Sequence, residues 1–230
     1  MDSVLGIAAL VALMVAVGVI GWQLERKRRE RLAAVAAALG FTVVSRDDTL
    51  LDRFSGYGSP FDRGFDRRAE HILTGVYDGR PAIAWDLTYH TWETRTVNGK
   101  SQRRKQAHRY AVVCVTMPRS YPDLSVSPEG PLGRMWGRLT NTDVQFESDD
   151  FNRAFTVNSA DRRFASDVIH PRMMEMLLAE CSDVAWQMTD DQIMSITSGR
   201  LDPDSLPRLL HVLDAVLDLV PPHVARSTWS

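Results

Sequence analysis

The sequence predicts an α+β fold: one N-terminal transmembrane helix, then a mainly antiparallel sheet domain with helices late in the chain and one at its end. Three observations carry this. Residues 4–22 hold no charged side chain, residues 71–115 alternate with a period of two around two Gly-containing turns, and apolar residues recur at helical spacing from residue 171 onward. By analogy of fold alone, that order suggests a pleckstrin-homology-like half-barrel closed by its last helix. Four segments follow: a transmembrane helix with a short outer N-terminus (1–23), a basic juxtamembrane helical stalk (24–40), a cytoplasmic α+β domain (41–222) and a tail (223–230).

The first element rests on length and charge. Val4 to Trp22 are 19 uncharged residues, and at about 1.5 Å each they reach roughly 28 Å, the thickness of a bilayer's hydrocarbon core. A cleavable signal peptide would carry its positive charge before the apolar stretch. Here Asp2 is the only charge before it, and Arg26, Lys27, Arg28, Arg29 and Arg31 follow with Glu25 and Glu30. Basic residues beside a span stay on the cytoplasmic side. These five therefore set the topology: N-terminus outside, single pass through the inner (plasma) membrane, and the rest in the cytoplasm. Cys114 and Cys181 belong to no CxxC or Cys/His cluster and read as buried thiols in a reducing compartment.

Past the stalk, Leu32, Val35 and Leu39 keep helical spacing up to Gly40, and Phe41–Val44 reads as a short strand. Phe54–Arg68, rich in Gly, Asp and Arg, has no period and reads as a loop. Its glycines lack the Gly-Lys-Ser/Thr that would make a phosphate loop. Ile72–Tyr77, the turn Asp78-Gly79 and the alternation through Tyr89 read as a hairpin. A second hairpin turns at Asn98-Gly99, and its return strand, Tyr110 to Val115, is apolar on both faces and hence central. Pro118, Pro122, Pro128 and Pro131 limit the next strands to short or edge pieces. Helices are expected after the caps Ser148, Asp161 and His170-Pro171. Val184–Met188 and Gln192–Thr197 read as a closing hairpin around Thr189-Asp190-Asp191. A last helix capped by Asp202 carries Leu206, Leu209, Leu210, Leu213, Val216, Leu217 and Val220 and stops at Pro221-Pro222.

Charge is uneven although the total is −2. The run Glu25 to Arg31 is net +3 and the stretch Arg95 to Arg109 is +6 without an acid, which leaves −11 for the rest. That second stretch, read as a loop at a hairpin tip, is the candidate binding site: Lys100, Arg103, Arg104, Lys105 and Arg109 suit anionic lipid head groups or an unidentified acidic protein partner. A solvated loop is the plainer explanation. Nothing points to specific nucleic acid, a metal or another cofactor. His108 and Cys114 share a strand face but stand six residues, roughly 20 Å, apart, too far for a catalytic pair. Asp47-Asp48, Asp149-Asp150 and Asp190-Asp191 sit where Asp caps turns and helices. The expected function is a non-catalytic module that binds protein or the membrane surface, the bilayer itself being contacted through residues 4–22. The alternative is an enzyme of unrecognised type drawing acid–base groups from Asp86, His90, Glu147 and Asp150.

One resemblance extends this. The span, the basic run, Leu39-Gly40-Phe41-Thr42-Val43, and the stretch from Phe146-Glu147-Ser148-Asp149-Asp150-Phe151 through Asp161, Phe164, Asp167 and His170-Pro171-Arg172-Met173-Met174-Glu175 resemble a bacterial, chiefly actinobacterial, family of membrane-anchored proteins known as a domain of unknown function. The similarity covers most of residues 30–220 and is most specific over Phe146–Leu178. It implies a single-span protein with a cytoplasmic domain, and it assigns no catalytic residue.

Overall fold

Apolar, charge-free sequence followed by Ala, Leu, Arg and Glu, all good helix formers, makes one unbroken helix, α1 (Asp2–Leu39). The computed structural model describes residues 2–97, 100–129 and 143–226; for residues 2–6, 8, 9, 11, 97, 100, 225 and 226 only the backbone is described. Among the described residues no helix is long and apolar enough to cross a membrane. The expected span Val4–Trp22 lies within them, with only the backbone described for residues 4–6, 8, 9 and 11, whereas Asn98-Gly99 and Pro131 lie outside. The stalk does not stand clear of the domain. Its Leu32 and Ala36 are buried in the main core, and Phe41 closes over them.

After α1 the chain forms β1 (Thr42–Arg46), α2 (Thr49–Arg53), β2 (Phe65–Tyr77), β3 (Arg80–Val97), β4 (Lys100–Pro128), α3 (Asp149–Ala154), β5 (Phe155–Ser159), α4 (Arg162–Val168), α5 (Pro171–Glu180), β6 (Trp186–Ser198), α6 (Leu206–Leu219) and α7 (Pro222–Arg226). All described pairings are antiparallel, in the order β1-β2-β3-β4, with β4 also pairing β5 and β6. The first hairpin turns at Asp78 (φ 44°) and Gly79 (φ 80°), two left-handed residues that match the twist of the flanking strands. The expectation for β4 is met: Val112 and Cys114 face one core while Ala111, Val113 and Val115 face another.

Those two cores make the sheet a middle layer. On one face α1 and α3 to α7 bury Leu73, Ala84, Val113, Leu124, Trp186 and Leu213. On the other, α2 and the turn after it fold Phe54 and Phe61 onto Trp85, with ring centroids 5.7 and 6.0 Å away. Residues 54–64, read as a loop, thus supply a core of their own.

Three further expectations need correction. β4 does not stop at its prolines. It runs 29 residues through Pro118 and Pro122, because β6 breaks register opposite them, between Thr116 and Tyr121 and again before Leu124, so no ladder hydrogen bond is demanded there. The expected hairpin at Thr189-Asp190-Asp191 is one strand, β6, paired to β4 from Trp186 to Ser198; Asp190 (φ 52°) makes a bulge instead of a reversal. Ser120 and Tyr57 donate to its carboxylate, which holds the kink. Of the expected tail, residues 223–226 belong to a short helix, Pro222–Arg226, that buries Val224, and residues 227–230 lie outside the described residues.

The late helices begin where their caps stand. Ser148 accepts from Phe151 N–H at 3.2 Å and Asp161 from Phe164 N–H at 2.9 Å. His170 Nδ1 accepts from Met173 N–H while Nε2–H donates to Leu219 C=O at 3.0 Å, joining the start of α5 to the end of α6. The last helix starts at Leu206, later than expected, since Asp202 holds the preceding turn through Ser205 N–H.

Candidate functional site

Charged side chains gather in two places along β3. The first lies where α1 crosses β2 and β3. Asp86 is 4% exposed on the α1-facing side of β3. Its Oδ2 accepts from Arg28 Nη2 at 2.9 Å and lies 3.0 Å from His71 Nδ1; its Oδ1 accepts from Leu201 N–H at 2.5 Å. Arg28 Nη1 in turn donates to Leu201 C=O at 2.9 Å. Both polar groups of a fully buried backbone unit are thus satisfied by one ion pair. A register shift between Glu70 and Leu73, with His71 at φ 52°, aims the imidazole at this point. Glu25 completes the ring: it bonds Arg28 at 2.9 Å, pairs with Arg200 and lies 3.6 Å from His71 Nε2. Burial raises the Glu25 carboxyl, but its bond to Arg28 together with the charges of Arg28 and Arg200 outweighs that and holds it below its ordinary 4.5.

The second place is the far half of β3 with the near half of β4. Beyond Leu87 these strands form an arm whose register runs from Thr88↔Arg109 to Val97↔Lys100. The stretch Arg95–Arg109 is therefore no loop. Its cations are strung along strands and alternate between faces. Trp92, Arg103 and Lys105 share one face. Trp92 is 54% exposed and stacks on Phe65 at 5.4 Å; Arg103 lies 5.1 Å from its ring centroid, and Lys105 Nζ lies 5.5 Å from the Phe65 ring. Lys105 also pairs with Asp66 at 2.9 Å, beside Arg68 at 3.1 Å, and those two bonds lower the Asp66 carboxyl. Arg104, opposite Glu93, takes the other face. Arg103, Arg104, Lys105 and Arg109 are all exposed, Arg109 standing at the base of the arm where Gly199 N–H bonds its carbonyl; the Lys100 side chain lies outside the described residues.

The cations expected to set the topology divide. Lys27 and Arg29 are exposed, Arg26 pairs with Glu30 on the helix surface and Arg31 with Asp204, and Arg28 belongs to the clamp. The groups of the enzyme alternative do not converge. Asp86 is committed to the clamp. His90 lies by Asp66, its Nδ1 at 3.3 Å without hydrogen-bond alignment, and Asp150 pairs with Arg153 at the start of α3, the helix that Glu147 precedes. Cys114 is wholly buried, which pushes its thiol far up.

Sequence reasoning missed His71, Glu25 and Leu201 in the clamp, and Phe65 and Trp92 on the arm. A histidine in the α1-facing register of an apolar strand was the available signal for the first group. Two other features complete the survey. A cavity of about 170 Å³ is lined by Arg80, Tyr121, Phe164, Met188, Leu217 and Val220. Asp78, Asp214 and Asp218 stand within 4.8 Å of one another, but Arg80 donates to both Asp214 and Asp218 and already supplies the cation.

Fold and site together define a class: an antiparallel-sheet domain clamped to the C-terminal half of an N-terminal helix, with a basic aromatic arm beside it. No family model matches the chain, and no curated protein matches it by sequence. Among solved structures, the crystal structure of the mycobacterial trehalose monomycolate transport factor A, TtfA, is similar over 85% of this chain and 97% of that one, with a TM-score of 0.57 and 13% identity. The two share a fold.

Proposed function

We propose that this chain is a single-span membrane protein, with its N-terminus outside and residues 23–230 in the cytoplasm, and that its domain is a binding module rather than an enzyme. The observation that carries the reading is the divided nature of α1. One end is buried in the core through Leu32 and Ala36. The other exposes Ile7, Leu10, Leu13, Met14, Val17, Ile20 and Trp22 all round the helix, an apolar surface that water penalises and a bilayer would cover. The uncharged 19 residues and the basic run behind them support the same topology. Dispersal of Asp86, His90, Glu147 and Asp150 favours binding over catalysis. Membership of the actinobacterial membrane-anchored family belongs to this reading, and so does a part in transport, by analogy with the fold's structural neighbour.

Topology mapping tests it. In the full chain expressed in cells, a cysteine replacing Ser3 should react with an impermeant thiol reagent and one replacing Ser230 should not, since the native cysteines are buried. Labelling at Ser230 alone, or release of the chain from membranes by alkaline carbonate, overturns the reading.

A further inference from the structure

Contacts along α1 fix its direction relative to the arm. At its C-terminal end the Phe41 ring covers Gly75, which is opposite Ala82 on β3; thirteen residues earlier Arg28 meets Asp86, four residues further along β3. Going back toward its N-terminus, α1 therefore follows β3 in the direction of His90 and Val97. The apolar part of the helix leaves the domain at the end from which the arm projects. Eleven residues of β3 lie beyond Asp86, about 36 Å of strand, whereas Trp22 is only six residues, about 9 Å of helix, before Arg28. The arm is long enough to reach the level of Trp22.

What it carries there is unusual for this protein. The chain away from its two basic segments is net −11, yet the arm holds an exposed tryptophan flanked by Arg103 and Lys105 on one face and Arg104 on the other. Aromatic side chains with Arg and Lys are the residues that settle at a bilayer's head-group layer. We infer that the β3–β4 arm is a second membrane contact, seated on the anionic lipid head groups beside the helix and fixing the orientation of the domain against the bilayer. This rests on the membrane-anchored reading above. The occupant is a lipid surface because the arm leaves the domain at the apolar helix's end and is paired only within itself there: β2 reaches no further than His90 and β6 no further than Tyr110.

The experiment uses the full chain with Ser101→Cys, a position on the Trp92 face of the arm, carrying an environment-sensitive fluorophore. The protein is reconstituted in nanodiscs of phosphatidylcholine alone or mixed with phosphatidylglycerol, each containing a lipid with a quencher on its head group. Quenching is expected in the anionic discs, weak in the neutral ones, and lost as salt is raised. Arg103→Gln, Arg104→Gln and Lys105→Gln together should lower the contacting population by on the order of tenfold with unchanged thermal unfolding. Equal quenching in neutral discs overturns the inference. So does its absence in anionic discs at low salt, and salt-sensitive binding of polyglutamate by the same sample would then assign the arm to an acidic protein. A chain that inserts normally but shows no quenching sinks this inference and spares the anchor. A chain that fails to enter nanodiscs sinks both.

Discussion

The clamp at Asp86 and the arm beyond His90 both gather charged side chains beside one strand, β3, only a few residues apart. At the clamp every charge meets its partner within about 3 Å under cover of α1, and the bonds close on the backbone of Leu201. Along the arm the cations are exposed, and Arg103 and Lys105 rest on aromatic rings. Burial makes the first set structural: a charge withdrawn from water must be answered where it stands, and losing one partner strands the others. Exposure leaves the second set nearly without influence on stability and available to a ligand.

The sharpest way to break this contrast is to replace Asp86 by Ala. Arg28 would lose its more buried carboxylate partner and Leu201 N–H its only described one, so unfolding of the full chain in detergent should come easier by roughly 2–4 kcal/mol, below the range for fully buried pairs because Arg28 is partly exposed. Adding Arg28→Met should recover part of the loss, and no recovery would mean the pair is not coupled. Next in size is Gly75→Ala. A Cβ there overlaps the Phe41 ring, and the shift needed to seat it should cost about 1–3 kcal/mol.

Acid sharpens the comparison further. Glu25 titrates below its ordinary 4.5 in the folded protein, so its contribution is complete above that value and is lost as pH falls through the lower folded one. Thermal unfolding should show the gap between the native chain and Glu25→Gln closing over that window. Asp214 runs oppositely: burial, with the charges of Asp218 and Asp78, raises its carboxyl more than Arg80 lowers it, so its ionisation weakens the fold and acid relieves that cost. The smallest effect is expected on the arm, where Arg104→Gln should change stability by no more than about 0.5 kcal/mol. A larger loss would place the arm in the folded core's economy after all.

How much of this was legible follows from how far apart the determinants sit in the chain. The hairpin at Asp78-Gly79 and the caps Ser148, Asp161 and His170 act over two to four residues, and the sequence displays them whole. Both faces of Tyr110–Val115 are apolar, which already implied a central strand. The clamp joins Arg28, Asp86 and Leu201 across separations of 58, 115 and 173 residues, and no periodicity encodes such a meeting. The arm reads as a loop in the sequence because a two-stranded ribbon exposed on both faces carries polar side chains on both and so shows no alternation. At Asp190 a residue type suited to turns serves a bulge, since the decisive partners, Tyr57 and Ser120, lie far back in the chain.

Because α1 is unbroken from Asp2 to Leu39, its N-terminal and C-terminal halves are locked in rotational phase. Each residue of an α-helix advances the azimuth by about 100° and the height by about 1.5 Å. One residue inserted between Trp22 and Glu25 would thus swing whatever side of the N-terminal half meets a neighbour through more than a quarter turn while Arg28 stayed on Asp86. Two insertions would nearly reverse it, and an eighteen-residue change would restore it at a different height. The bearing of the domain about the helix axis is therefore written in residue count, and the clamp is the fixed mark against which that count is read.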